Sequence, residues 1–169
     1  MAKRRKSTIS LVQLPVDEEH ILSMARQIIE ARFKPRPNLT SAVEAKEYLI
    51  LSMATEPREL FGILYLNNAH AVLGFEILFK GTIDSAAVHS REVVEHTLKN
   101  KAAAVILVHN HPSGETKPSR ADIALTGRLA VALDTIDVRV IDHIIVAGTQ
   151  TVSMAELDIM PNKTTAKTA

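Results

Sequence analysis

Cysteine and tryptophan are both absent from this chain of 169 residues. Without cysteine there is no disulfide framework and no thiolate ligand, so any zinc must be held by nitrogen and oxygen atoms. Aromatic residues make up only 4% of the sequence, which leaves little material for stacking nucleic-acid bases. No apolar run approaches the roughly 18 residues of a membrane span, and the N-terminus lacks the apolar stretch of a signal peptide. These absences favour a cytoplasmic protein without a membrane partner.

An excess of charge of one sign is also missing, because 20 basic and 19 acidic residues leave a net charge of +1. The overall charge therefore gives no argument for nucleic-acid binding. The local exception is the basic run KRRK at residues 3–6. A solvated, disordered tail is the favoured interpretation of such a short run, and an arm that binds nucleic acid weakly is the alternative.

The rest of the composition, 46% hydrophobic, is that of a globular protein with one hydrophobic core. After an arm at residues 1–16, apolar residues recur at three-to-four spacing, which predicts two helices before Pro57. From there the pattern changes to alternating strands and helices. We therefore predict three regions: a basic arm and helical N-terminal extension at 1–56, one α/β domain at 57–157, and a disordered polar tail at 158–169.

The strands and helices of the α/β domain can be placed from their patterns. Two strand-like runs, 60–66 and 71–81, are joined by a turn at Asn67-Asn68. The run AAAVILV at 102–108 is apolar throughout, which is typical of a strand covered on both faces. The other predicted elements are helices at 86–100 and 119–134 and strands at 138–148 and 151–157. The pattern predicts a mixed sheet flanked by helices.

Two histidines follow the most apolar strand. His109 and His111 are two residues apart, so the alternation of a strand points both imidazoles to the same face. Asp122 lies in the first turn of the helix that starts near Ser119, and its carboxylate can turn back towards the strand end. Two imidazoles and a carboxylate, with the fourth tetrahedral position open, are typical of catalytic zinc. We predict one zinc ion per chain at these three residues; the alternative is a pair of hydrogen-bonded loop histidines.

A zinc ion with an open position lowers the pKa of its water to about 7, so that hydroxide is available at neutral pH. Hydrolysis then needs a carboxylate that transfers the proton and a donor that stabilises the oxyanion. Ser119 is a candidate donor, and Ser119 with Asp122 also has the spacing of a helix capping box, which is compatible with both roles. His143 is favoured as a core or edge histidine, with contact to a metal ligand as the alternative.

The stretch HNHPSGETKPSRAD, residues 109–122, resembles the JAMM signature of His-x-His, proline and Ser-x-x-Asp, with seven residues between the second histidine and the serine. The flanking stretches RELFGILYLNN and DHIIV are similar to the RadC-like branch of that family, so the resemblance covers about residues 57–157. It implies a JAB/MPN-type α/β fold. It also implies zinc at the two histidines and Asp122, and Ser119 as the oxyanion stabiliser.

The resemblance further implies an upstream glutamate as the general acid and base. In this family the glutamate opens a strand that leads into the core, and Glu59 in RELFGILYL matches that position, with Glu76 and Glu92 as rivals. The implied function is a zinc-dependent hydrolase, similar to a metalloprotease or isopeptidase, in which zinc-bound hydroxide attacks an amide carbonyl. Its substrate is an unidentified peptide or protein.

Two other functions stay open at this point. The first is a DNA-repair-associated or nucleic-acid-associated accessory protein, in which the zinc site is structural or vestigial and the basic arm makes the contact. An inert interaction scaffold is the third interpretation, and it predicts no metal at all.

Overall fold

The computed structural model describes residues 17–33, 42–81 and 88–161. The predicted basic arm and most of the predicted polar tail lie outside these residues. The helices and strands are, in chain order, α1 Glu18–Phe33, α2 Ala42–Met53, β1 Leu60–Leu66, β2 Val72–Lys80, α3 Ser90–Lys99, β3 Ala104–Asn110, α4 Arg120–Asp134, β4 Arg139–Ala147 and β5 Gln150–Ser153. In the described ranges, the strands form one sheet in the order β2-β1-β3-β4-β5. The predicted mixed sheet flanked by helices is confirmed.

The central strand, β3, has neighbours of both orientations. β1 pairs with it in antiparallel fashion, with Phe61 opposite His109, and β4 pairs with it in parallel, with Ile145 opposite His109. A parallel neighbour requires a crossover connection, and α4 supplies it. The strand continues through Asn110, two residues beyond its predicted end at Val108, so that the first histidine of the motif lies within the sheet.

The two faces of the sheet are covered by different helices. On one face, Val105 and Leu107 of β3 share a core cluster with residues of α3 and α4, such as Leu129. On the other face, Val108 shares a cluster with Leu49 of α2. Each fully buried side chain of this size contributes roughly 1.5–3 kcal/mol to stability. β3 therefore has α4 on one side and α2 on the other. The residues at its carboxyl end also alternate between these two sides.

The last strand is shorter than the prediction of 151–157, because β5 ends at Ser153. Asp142 of the neighbouring strand accepts hydrogen bonds from the Ser153 hydroxyl at 2.6 Å and from the Ala155 backbone N–H at 2.9 Å. After Ser153 the chain makes these contacts with the Asp142 side chain instead of further strand pairing, and it continues as a turn. Among the described residues, no helix is both long and apolar enough to cross a membrane.

Candidate metal centre

Three polar side chains converge where β3 meets the start of α4, and we call His109, His111 and Asp122 the ligand cluster. His109 Nε2 lies 2.9 Å from His111 Nε2 and 3.2 Å from Asp122 Oδ1, and His111 Nε2 lies 3.6 Å from Asp122 Oδ2. One candidate ligand atom from each residue lies within 4.8 Å of the others. His109 and Asp122 are buried, whereas His111 is partly exposed, so the cluster opens on the side of His111.

The strand brings the histidines to the cluster. Val105 and Leu107 belong to the core cluster on the α4 side. Every second side chain of a strand points to the same face, so His109 also faces α4. His111 lies just beyond β3, but its backbone N–H donates to the Val146 carbonyl at 2.8 Å and so keeps the direction of the strand. Both imidazoles therefore share one face, as the spacing predicts.

A capping box fixes the carboxylate. Ser119 is the N-cap residue of α4, and its hydroxyl oxygen accepts a hydrogen bond from the Asp122 backbone N–H at 3.1 Å. In return, Asp122 Oδ2 accepts from the Ser119 backbone N–H at 2.7 Å. This exchange turns the carboxylate back towards the helix start, where the helix dipole favours negative charge. The predicted capping box is confirmed, and it aims Asp122 at the two histidines.

The hydrogen bond of His111 Nδ1 determines the tautomer of this histidine. Its Nδ1 lies 2.6 Å from the backbone carbonyl oxygen of Glu115, which can only accept a hydrogen bond. The Nδ1 atom therefore carries the proton, and in the neutral ring Nε2 is left with a lone pair. A histidine that ligates a metal typically donates its other N–H to such an oxygen.

The tautomer of His109 follows from a buried chain of hydrogen bonds. Thr126 donates its hydroxyl proton to the Asp122 backbone carbonyl at 2.6 Å, so it must accept from His143 Nδ1, also at 2.6 Å. His143 Nε2 then accepts from His109 Nδ1 at 2.8 Å. Burial, reinforced by neighbouring His109, lowers the pKa of His143 well below its usual value, which keeps the ring neutral. His109 Nε2 is thereby left with a lone pair.

Two imidazole lone pairs and a carboxylate thus face one another, an arrangement that is repulsive unless a positive charge lies between them. The pKa values respond to this. The hydrogen bond with Asp122 raises the pKa of His111 against the effect of burial. Burial alone would raise the pKa of Asp122, but hydrogen bonds with His109 and His111 outweigh it and hold that pKa well below its usual range. Two nitrogen donors and one oxygen donor fit a divalent metal such as zinc.

Glu59 lies immediately before β1 and lines a groove with Pro112, the residue after His111. The antiparallel register ends with Phe61 opposite His109, and Glu59 and His111 each lie one residue beyond the ends of β1 and β3. The charge of Glu59 also raises the pKa of His111, after the larger effects of the Asp122 hydrogen bond, burial and the Glu115 carbonyl. A groove of about 530 Å³ opens here, and its lining residues are Pro57, Arg58, Glu59, Gly81, Pro112 and Ser113.

The first rival glutamate is engaged elsewhere. Glu76 Oε2 accepts hydrogen bonds from the Tyr65 hydroxyl at 3.0 Å, from His96 Nδ1 at 2.9 Å and from the Asn100 side-chain amide at 3.3 Å. We call these four residues the Glu76 cluster. It connects β1 and β2 to α3, and its carboxylate is occupied by three donors.

The second rival, Glu92, is an exposed residue in the first turn of α3, where it lines a groove together with Arg128. Of the three candidate glutamates, Glu59 is the one whose charge acts on His111. Glu59 lines the same groove as Pro112, the residue after His111, and its role stays a prediction.

Ser119 and His143 also reach the cluster. Ser119 is exposed at the helix start, and its hydroxyl acts as an acceptor in the capping box, which leaves its proton for a second hydrogen bond. His143 is fully buried, as its favoured interpretation predicts, yet it also contacts His109, which is the alternative. The sequence analysis missed Thr126 and Asn110. Thr126 is four residues after Asp122, so spacing on the helix could have indicated it.

A mixed sheet whose central strand ends in His-x-His, next to a helix capped by Ser-x-x-Asp, defines a domain of the JAB/MPN type. Residues 39–159 match the family model described as the RadC-like JAB domain. The chain therefore belongs to the RadC-like JAB domain family.

Two of the matching curated relatives carry the name UPF0758 protein, and both are longer than this chain. A UPF0758 protein of Ectopseudomonas mendocina is 49% identical over 140 residues, which cover 83% of this chain and 62% of the relative. A UPF0758 protein of Pseudomonas fluorescens is 50% identical over 133 residues, covering 79% of this chain and 59% of the relative. The chain spans about three fifths of the length of these relatives.

Proposed function

We propose that this protein is a zinc-dependent hydrolase of the JAMM type that cleaves an amide bond in a peptide or protein. The observation that carries the proposal is the convergence of two imidazole lone pairs and a carboxylate in the ligand cluster. Such a donor set, with three protein ligands, is typical of catalytic rather than structural zinc. The groove beside it gives an extended substrate access from the side of Glu59.

Zinc, when bound, supplies an electrophilic centre that acidifies water and polarises a carbonyl group. The chain's own residues would supply the other two functions. Glu59 would take a proton and return it to the leaving amine, since it lines the groove beside Pro112, on the side where His111 is partly exposed. Ser119 would donate its hydroxyl proton to the negative charge that develops on the carbonyl oxygen.

His143 and Thr126 would position a ligand without touching the substrate. Their hydrogen-bond chain ends on the backbone of Asp122, so one network orients His109 and connects it to the helix turn that carries the carboxylate. Partners of this kind fix the ring orientation and the tautomer of a ligating histidine.

A role in contact with nucleic acid is the alternative that the sequence leaves open. It depends on the basic run at residues 3–6, which lies outside the described residues. The ligand cluster and its groove carry the hydrolase proposal independently of that run.

The test compares zinc-loaded protein, chelator-treated protein and chelator-treated protein to which zinc is returned. The substrates are a panel of unstructured peptides and isopeptide-linked ubiquitin-like proteins. We expect hydrolysis that is lost on chelation and restored by zinc. Glu59→Gln, which has nearly the same shape but cannot take the proton, should bind zinc and lose about 10²–10⁴-fold in turnover. Glu92→Gln, an exposed glutamate on α3, is the matched control and should keep full turnover. Hydrolysis that survives chelation or Glu59→Gln would overturn the proposal.

A further inference from the structure

Asn110 is the residue between the two histidines of the ligand cluster, and its side chain takes the opposite direction. Successive residues of a strand alternate between the two faces of a sheet. His109 faces α4, whereas Val108 packs on the α2 side and Asn110 is its partner in the alternation. Only 2% of Asn110 is exposed. A buried amide of this kind needs hydrogen-bond partners on the α2 side of the sheet.

The partners of its side chain come from residues 56–60, the segment that leads from α2 into the first residue of β1. The Asn110 side-chain oxygen accepts from the Leu60 backbone N–H at 2.6 Å. Its side-chain nitrogen donates to the Glu56 carbonyl at 3.3 Å and to the Arg58 carbonyl at 3.2 Å. One N–H donor and two carbonyl acceptors leave a single orientation for the amide, because its oxygen must face the N–H group. The amide is therefore satisfied by this segment alone.

The partners at positions 56, 58 and 60 bracket Glu59. The peptide groups on both sides of Glu59 are hydrogen-bonded to one side chain, and that side chain is attached to the backbone between two ligands. We propose that Asn110 is a positioning residue that holds Glu59 in register with the ligand cluster. This inference rests on the proposed function, because it assigns Asn110 an effect only through the role of Glu59 as the general acid and base.

A displacement of about 1 Å in a catalytic group can cost about 100-fold in rate. Asn110→Ala removes all three contacts, so we expect kcat to fall by about that factor while zinc stays bound at one per chain. A purely structural residue would lower activity too, so the loss alone does not decide the matter. The deciding quantity is the coupling between Asn110 and Glu59.

The experiment compares kcat and zinc content in wild type, Asn110→Ala, Glu59→Gln and the double variant, with the same peptide and isopeptide panel. If Asn110 acts through Glu59, the alanine substitution should cost less than about 3-fold once Glu59 has been replaced, because interacting sites are not additive. An equal loss of kcat in both backgrounds would overturn the inference and leave the proposed function standing. Equal kcat in wild type and Glu59→Gln would overturn both.

Two further variants separate positioning from packing. Asn110→Asp keeps the size of the side chain but turns its two donor contacts into contacts between acceptors, so it should lose as much kcat as alanine does. Recovery of kcat in Asn110→Asp would show that shape alone matters, and would overturn the inference. This variant also carries the coupling test if Asn110→Ala does not fold. Asn100→Ala, which removes another hydrogen-bonded amide in the Glu76 cluster, is the matched control and should keep wild-type kcat.

A measurement without substrate covers the case in which no member of the panel is cleaved. With Co²⁺ bound in place of zinc, the visible absorption spectrum reports on the surroundings of the metal. We expect Glu59→Gln and Asn110→Ala to change this spectrum in the same way, and the double variant to show no further change. A spectrum altered by Glu59→Gln but not by Asn110→Ala would overturn the inference.

Discussion

The ligand cluster and the Glu76 cluster use the same kinds of side chain, a carboxylate next to imidazole, but their hydrogen bonding is opposite. In the Glu76 cluster one carboxylate oxygen accepts from three donors: a hydroxyl, a ring N–H and an amide. In the ligand cluster the ring protons point outward, to Glu115 and His143, and the acceptors point inward. The first cluster is complete by itself. The second favours a positive charge at its centre, which a proton on His111 or a metal ion can supply, so the two clusters differ in the balance of donors and acceptors rather than in residue types.

Burial widens this difference. The side chains of His96 and Glu76 are 35% and 39% exposed, whereas those of His109 and Asp122 are 1% and 7% exposed. Water screens the charges of the open cluster and contributes to its solvation. In the ligand cluster, solvent reaches the acceptors mainly from the side of His111, whose side chain is 13% exposed. The comparison therefore predicts large effects of substitution in the ligand cluster and small ones in the Glu76 cluster.

The largest expected effect is on zinc affinity when a ligand is removed. His109→Ala or His111→Ala should weaken zinc binding by well over 100-fold, because loss of even an outer partner of a ligand costs roughly 10–100-fold. Competition with a zinc chelator measures the affinity. His96→Ala, which removes the imidazole of the Glu76 cluster, is the matched control and should bind zinc as the wild type does. The comparison fails if all three variants retain the same affinity.

A smaller effect is expected one step further from the metal. His143→Ala should weaken zinc binding by roughly 10–100-fold, because His109 loses the acceptor that fixes its tautomer. The same chelator competition applies. Thr126→Val, which keeps the shape of the side chain but removes the hydroxyl, should act in the same direction through His143. Unchanged affinity in both variants would show that the buried chain does not orient the ligand.

The ligand cluster could be predicted from the sequence because each of its two motifs sets its geometry within a few residues. His-x-His on a strand and Ser-x-x-Asp at a helix start each fix their geometry over a few residues, and an apolar run marks the strand that joins them. Glu59 was found through the resemblance, since the pairing that brings it to His111 is a long-range contact between strands. The register of β1 and β3 pairs Phe61 with His109, and Glu59 lines a groove with Pro112, the residue after His111.

The supporting residues could not be predicted in the same way. Asn110 hydrogen-bonds with residues 50 to 54 positions earlier in the chain, and His143 contacts His109 across the parallel pair of strands. Neither contact corresponds to a spacing pattern that can be recognised in the sequence. The early end of β5 has a similar origin, because it depends on the carboxylate of Asp142 in the neighbouring strand.

In the Glu76 cluster we expect a small effect on stability. Burial alone would raise the pKa of Glu76, but hydrogen bonds with His96 and Tyr65 outweigh it and lower that pKa. A lowered pKa adds stability above the pKa of the unfolded chain, and this stability is lost as pH falls through the pKa of the folded state. Glu76→Gln should therefore cost at most about 1 kcal/mol at neutral pH, since exposed pairs contribute little.

Urea unfolding of the wild type and Glu76→Gln at neutral and acidic pH checks this expectation. The difference between the two proteins should shrink as the pH falls, and zinc binding should be the same in both. A loss of several kcal/mol, or a difference that grows towards acid pH, would contradict the account of the open cluster.

The smallest expected effect concerns DNA. With a net charge of +1 and one basic run of four residues, binding to duplex DNA should be weak, with a salt slope of magnitude at most about 4. Deleting residues 1–6 should remove most of this binding, while His109→Ala should leave it unchanged. Binding to labelled duplexes over a range of salt concentrations measures both. Tight binding that survives the deletion and about 200 mM salt would favour the accessory function.

The most direct test of the central claim is the metal content of the protein purified without added zinc, measured beside Glu59→Gln by elemental analysis. Any protein that is metal-free after purification is then titrated with zinc. The three proposed ligands are His109, His111 and Asp122, and Glu59 is not among them, so both proteins should reach one zinc per chain. A wild type that takes up no stoichiometric zinc in the titration would contradict the account.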